Sequence, residues 1–381
     1  MPRDDDDLAR RTTEAVTLIG RRANRDRAGS AALGIALPRP TSVWLRCRAG
    51  AAATVEDQVR TLLLPEHPQL GVTRRGRAAV EITWGGTLAQ LYRVRSFVDV
   101  ALSFPLPDGA TVVDRVLAGL DHPELVAALQ AWTAGPIRFR LAFAQGRRRA
   151  AVWTVAKTLA ERGSALVNDS RAVAWTIEVD EQHGRLWCVP KGADPRFRYR
   201  LADVPAATHP TLAALMAWVG RPQPGEVVWD PFCGTGTELI ECATVSTGLH
   251  LWGTEVEAEA LAGARRNVAA AGIESASLQL VHGSALDTRP RHEGRGVSLI
   301  LSNPPMGRRV MVEGRGMRRL LDDFVAHAAR LLHPGGRVVW LSPAPRATAA
   351  SARHLGLHVE DLDVIDMGGF FTTPQVLRRD G

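Results

Sequence analysis

The stretch that most restricts the fold is Trp229 to Glu241, WDPFCGTGTELIE. An apolar run, EVVWD at 226–230, ends on Asp230, and two glycines, Gly234 and Gly236, follow just before a helical pattern begins. Glycine lets a backbone turn tightly there and approach a ligand at the helix N-terminus. The stretch lacks the third glycine of a dinucleotide fingerprint and the lysine of a phosphate loop, which weakens both of those readings.

The same alternation continues to the C-terminus. Helical HPTLAALMAWVG precedes the motif. After it come LHLWGTE, helical AEALAGARRNVAAAG, SLQLVHG, VSLILSNPP, helical MRRLLDDFVAHAARLLHPGG, RVVWLSP, and a late strand pair from HVEDLDVID to FTTPQVLRR. Short apolar strands alternating with amphipathic helices predict a doubly wound, mostly parallel sheet over 208–381. Ligands of such a sheet lie outside the carboxyl ends of the strands, where the motifs fall.

Three more strand ends carry chemistry. Glu255, in WGTEVEAEAL, is placed to accept hydrogen bonds from two ribose hydroxyls. VHGSALD borders an adenine in this reading; Ser284 stands where an acid often bonds the adenine amine, and Asp287 reads as a helix cap. SNPPMG, 302–307, follows VSLIL. The Asn303 side-chain oxygen and the Pro304 carbonyl can accept hydrogen bonds from an NH2 group, while Pro304 and Pro305 fix the backbone that aims them. Holding the protons of a conjugated amine out of line turns its lone pair toward an electrophile, a positioning effect that needs no strong base. A proline-punctuated turn is the plain alternative. It does not explain the coincidence with the other strand ends.

The N-terminal half has a different texture. Residues 1–40, with an acidic run and then GRRANRDRAGS, predict a mobile tail. Residues 41–115 predict a small α+β unit of short strands around the helix TVEDQVRTLLL, and 116–207 a second α/β unit. The densest basic clusters are Arg147, Arg148 and Arg149 in GRRRA, and Arg196, Arg198 and Arg200 in RFRYR, where Phe197 and Tyr199 can stack or pack.

Of the 381 residues 45% are hydrophobic and 23% charged, enough for two or three domains with ordinary cores. A net charge of +7 suggests a polyanionic partner such as nucleic acid. All but two of the 47 basic residues are arginine, however, a pattern that a GC-rich genome also produces. Cys47, Cys188, Cys233 and Cys242 form no CxxC pair and no cluster at ligand spacing, so no zinc site or disulfide framework is expected and a reducing cytoplasm fits. No signal-peptide core and no membrane-length apolar run is expected to direct the chain elsewhere.

DPFCGTGTELIE together with SNPPMG resembles the Rossmann-fold S-adenosylmethionine-dependent amino-methyltransferases. The preceding half resembles the ferredoxin-like and THUMP domains of the guanine-N2 RNA methyltransferases that modify tRNA. The resemblance implies an α/β fold in which a ferredoxin-like domain (41–115) and a THUMP-like RNA-binding domain (116–207) precede a Rossmann-fold methyltransferase domain (208–381). It assigns S-adenosylmethionine to Thr211, Asp230, Pro231, Phe232, Gly234, Thr235, Gly236, Thr237, Glu255, Ser284 and Asn303, with Asn303, Pro304, Pro305 and Met306 as the catalytic loop. It implies a monomer that needs no metal and grips the acceptor end of tRNA, Arg308 and Arg309 joining the other arginines in RNA binding. Met306 departs from the family, which often places an aromatic ring there to sandwich the flipped base; Phe370 or Phe371 is a candidate replacement. Other acceptors (rRNA guanine, adenine, an amide) and a catalytically decayed RNA-binding relative stay open at this point.

Overall fold

The computed structural model describes residues 30–169, 171, 173–192, 194–205, 207–274, 277–305 and 315–381. Two compact units emerge. The first takes in residues 30–44, 82–91 and 100–194, and the second 45–81, 92–99 and 195–381.

The second unit contains a seven-stranded sheet. Its strands are β1 (Val227–Asp230), β2 (His250–Glu255), β3 (Leu278–His282), β4 (Val297–Ser302), β5 (Leu332–Leu341), β6 (His358–Asp361) and β7 (Pro374–Arg378). They lie in the order β3-β2-β1-β4-β5-β7-β6. β1 to β5 run parallel to one another, and β7 runs antiparallel to both β5 and β6. The order reverses between β1 and β4, so a crevice opens at their carboxyl ends.

Helices α1 (Pro210–Gly220), α2 (Thr237–Val245), α3 (Ala258–Ala270), α4 (Arg315–Leu331) and α5 (Pro345–His354) accompany this sheet. α4 shows why the pattern folds as it does: Met317, Leu321, Phe324, Val325 and Ala328 recur at helical spacing and are all buried, while Arg318 and Arg319 pair with Asp322 and Asp323 one turn on. Phe324 meets Trp229, Phe232 and Trp340, forming the aromatic centre of the core. α1 is buried from Pro210 to Ala217, as an almost wholly apolar helix must be. Its C-terminal carbonyls are held by the buried Arg337, whose Nε donates to Gly220 O at 2.6 Å and Nη2 to Arg221 O at 2.9 Å.

Strand Asp99–Pro105, in the first unit from Val100 on, pairs antiparallel with Arg185–Pro190, placing Leu102 opposite Cys188 and Ser103 opposite Trp187. Arg185–Pro190 in turn pairs with Trp175–Asp180, which lies parallel to Ile137–Phe143. Strands expected in separate ferredoxin-like (41–115) and THUMP-like (116–207) segments therefore share one sheet. The first part of the chain also departs from expectation. Residues 1–29 lie outside the described residues, but 30–40 are not a tail: Ser30–Ala31 pairs with Thr133–Ala134, and Leu37 is buried with its N–H on Gly86 O. Leu33, Ile35 and Leu37 alternate, but the stretch is short and is broken by Gly34 and Pro38, so it did not mark an ordered segment.

Candidate active site

The carboxyl ends of β1, β2 and β4 converge. Asp230 ends β1 fully buried; its Oδ1 accepts hydrogen bonds from Ser302 Oγ at 2.7 Å and from the Phe232 N–H at 3.2 Å. Burial, and then the charge of Glu238, raise its carboxyl well above the usual carboxylate range. After Asp230 the chain turns through Gly234 (φ 49°) and Gly236 (φ 81°), a left-handed backbone that favours glycine. A side chain at Gly234 would project into open space, so the glycine leaves room beside the turn. Gly236 caps α2 and backs onto Ala264 of α3.

Two residues brace this turn. Glu255, at the end of β2, accepts from the Gly234 N–H (2.8 Å) and the Glu257 N–H (3.0 Å). Asn267 of α3 is fully buried; its Nδ2 donates to Thr235 O at 3.1 Å and Ala202 O at 2.9 Å, while its Oδ1 accepts from the N–H groups of Leu201 and Ala202. Asn267 gave no sequence signal, since an asparagine inside a helical pattern reads as a surface residue.

At the end of β4, Pro304 is buried and Pro305 half-buried. Asn303 Nδ2 donates to Thr208 Oγ1 at 3.0 Å. Asn303 Oδ1 is buried without a partner, as are Asp230 Oδ2, Thr235 Oγ1 and Thr237 Oγ1. Buried polar atoms are normally satisfied, so four unpaired ones at the ends of β1 and β4 and along the turn into α2 mark a place for a polar ligand.

Other expected site residues have protein partners of their own. Thr211, assigned to the cofactor by resemblance, is 2% exposed, and its hydroxyl pairs with His209 Nδ1 at 2.8 Å. Thr208 is the residue of that segment that reaches Asn303. Burial, followed by the charge of Arg48, pushes His209 down to about 4. Ser284 Oγ accepts from the Leu286 N–H at 3.1 Å in the turn after β3 and keeps its own proton to donate, and no helix starts at Asp287 for it to cap. Pro231 is buried, and the Phe232 ring packs edge-to-face on Phe324 at 5.3 Å; both shape the loop from behind. Met306, Arg308 and Arg309 lie outside the described residues.

The RFRYR cluster is largely structural. Arg196 is 5% exposed, donates to the carbonyls of Val94, Arg95 and Phe97, and sits 3.8 Å from the Phe97 ring centroid, out of reach of RNA. Tyr199 is buried and donates to Glu241 Oε1 at 2.7 Å, beside the Arg95–Glu241 ion pair. Arg200 pairs with Asp203, leaving Arg198 as the exposed member. In the first unit Arg147, Arg148 and Arg149 are all exposed and line a cavity of about 470 Å³, although Arg148 also pairs with Glu181.

The strand order and the chemistry at its carboxyl edge define a methyltransferase fold. Residues 198–368 match the family UPF0020, described as an RMKL-like methyltransferase domain. The chain is 31% identical over 188 residues to a tRNA (guanine(6)-N2)-methyltransferase of Thermus thermophilus, covering 48% of this chain and 53% of that one. It is 32% identical over 136 residues to the U6 snRNA (guanine-N(2))-methyltransferase THUMPD2 of Bos taurus, covering 36% and 26% respectively. The match thus spans about half or less of these curated relatives. The crystal structure of TrmN from Thermus thermophilus has the same fold, with a TM-score of 0.69 at 23% identity over 89% of this chain and 99% of that one.

S-adenosylmethionine, the cofactor of this domain class, supplies an electrophilic methyl group. The site fits it: Glu255 retains acceptor capacity for ribose hydroxyls, and the open turn at Gly234 and the unpaired oxygens of Asp230, Thr235 and Thr237 offer polar contacts. Val256, directly after Glu255, is an apolar side chain left 60% exposed, and no motif singled it out. Among the described residues no group of His, Cys, Asp and Glu could hold a metal, and no helix is long and apolar enough to cross a membrane.

Proposed function

We propose that the protein is an S-adenosylmethionine-dependent RNA methyltransferase that modifies the exocyclic N2 amine of a guanosine in tRNA, in the cytoplasm. The observation that carries this reading is the buried, unpartnered Oδ1 of Asn303, an acceptor with no donor of its own. An arylamine supplies the missing donor. Accepting one of its protons restrains the NH2 group and directs the nitrogen lone pair toward the methyl group, so Asn303 acts by positioning and charge stabilisation rather than as a base. The Pro304 carbonyl supplies a second acceptor, on a backbone stiffened by Pro305.

The guanine-N2 acceptor is favoured by the two relatives named for that reaction, and tRNA by the Thermus relative. Support for RNA contact comes from the exposed Arg147 and Arg149 beside Trp153, which is 55% exposed with Lys157 Nζ 5.4 Å from its ring centroid. Cations next to a bare aromatic suit an unpaired nucleotide. In the cofactor site, Glu255 takes the ribose, and Val256 offers an apolar face to the adenine. Purified Asn303→Ala, incubated with labelled S-adenosylmethionine and bulk tRNA, should transfer about a hundredfold less label than wild type while still binding the cofactor. Unchanged transfer would place the reaction elsewhere.

A further inference from the structure

Thr208 lies on the approach to α1, two residues before Pro210, and no motif includes it. It is 6% exposed and forms two hydrogen bonds: its hydroxyl donates to Glu238 Oε1, and its oxygen accepts from Asn303 Nδ2 at 3.0 Å. Glu238 is 4% exposed on the first turn of α2. A hydroxyl carries one proton. Above about pH 7, where Glu238 is ionised, that proton is committed to its carboxylate, Thr208 can only accept from Asn303, and the charged acceptor makes the commitment strong.

The order of bonds fixes the two ends of the Asn303 amide. Nδ2 is held against Thr208, which leaves Oδ1 as the end that has no partner. An amide rotated by half a turn would oppose its own N–H groups to those of an amine, donor against donor. We propose that Thr208, anchored by Glu238, is a positioning residue that sets the orientation of the Asn303 amide and so presents an acceptor to the amine being methylated. This rests on the role given to Asn303 above. His209 stiffens the segment by accepting the Thr211 N–H, and Pro210 fixes the first helical residue.

The test compares Thr208→Val, which keeps the branched shape and loses the hydroxyl, with Thr208→Ser, which keeps the hydroxyl. Both are assayed at pH 8 with labelled S-adenosylmethionine and bulk tRNA or rRNA. Thr208→Val should lower kcat by about tenfold to a hundredfold, with the RNA KM and cofactor Kd within about threefold of wild type; Thr208→Ser should restore most of kcat. The Asn303 side-chain amide protons, followed by NMR, should exchange slowly in wild type and Thr208→Ser and faster in Thr208→Val. Wild-type kcat in Thr208→Val, equal loss in both variants, or unchanged amide exchange overturns the proposal. If Thr208→Val does not fold, Thr208→Ala carries the same comparison. Wild-type label in a base other than N2-methylguanine overturns the reaction proposed above, and variant ratios on that product still decide the role of Thr208. The exchange measurement needs no acceptor at all.

Discussion

Glu255 Oε2 accepts a 2.8 Å hydrogen bond from the Gly234 N–H, tying the end of β2 to the glycine turn after β1. One carboxylate thus holds the turn and retains lone pairs for a ligand. Glu255→Ala should weaken S-adenosylmethionine binding by about tenfold to a hundredfold, the loss expected for a charge-assisted hydrogen bond worth roughly 1.5–3 kcal/mol. Calorimetric titration of the cofactor measures it, and an unchanged Kd would remove Glu255 from the site.

Burial pushes Glu238 up to about 7, against an ordinary value of 4.5, and raises Asp230 in the same direction. In each case the fold favours the protonated acid. For Glu238 that contribution is complete below about pH 4.5 and is lost as pH rises through about 7. The Glu238 share is on the order of 3 kcal/mol. Thermal unfolding without cofactor should give a melting temperature that falls between pH 5 and 8 by roughly several degrees, and Glu238→Gln should flatten the fall. An equally steep profile in that variant would contradict the assignment.

Arg196 and Arg147 should respond in opposite ways. Arg196→Ala leaves the carbonyls of Val94, Arg95 and Phe97 without their shared donor and removes a cation from the rings of Tyr92, Phe97 and Phe197, so it should destabilise the fold by about 3 kcal/mol or more. Arg147→Ala is an exposed change that should alter stability by under about 0.5 kcal/mol. It should instead weaken tRNA binding and reduce the slope of log affinity against log salt by about 1. Melting curves and binding at several salt concentrations separate the two.

Whether a ring elsewhere in the chain takes the stacking role expected of an aromatic at position 306 can also be probed. Phe371 is 63% exposed on the hairpin Ile365–Asp366 with Phe371–Thr372, and Thr372 Oγ1 donates to Ser342 O just past β5. With Ser302 opposite Trp340 and Pro374 opposite Leu341, the hairpin leaves the sheet at the same edge as Asn303. If Phe371 stacks on the target base, Phe371→Ala should raise the RNA KM about tenfold, and Phe371→Trp should not. No change in either variant would exclude it.

The methyltransferase half was legible because β1 to β4 are short apolar runs closed by an acid, a glycine or an asparagine, and α3 and α4 carry a clear helical period. α5 escaped: PRATAASARH is rich in alanine and opens on Pro345, so neither periodicity nor a polar cap announced it. Thr208 could not be read, since its partners Glu238 and Asn303 lie 30 and 95 residues away. The error at Arg196 has a similar origin. Sequence shows that arginines cluster beside aromatic residues, but only packing shows that this guanidinium lies among rings and carbonyls. The sheet shared by 41–115 and 116–207 was hidden for the same reason, because strand Asp99–Pro105 pairs with a strand some eighty residues on.

The account turns on Asn303 accepting from a guanine amine. Nucleoside mass spectrometry of bulk tRNA treated with S-adenosylmethionine and either wild type or Asn303→Ala tests it most directly. The predicted result is N2-methylguanosine with wild type and about a hundredfold less with the variant. Methylation of adenosine alone, or equal N2-methylguanosine from both proteins, would contradict it.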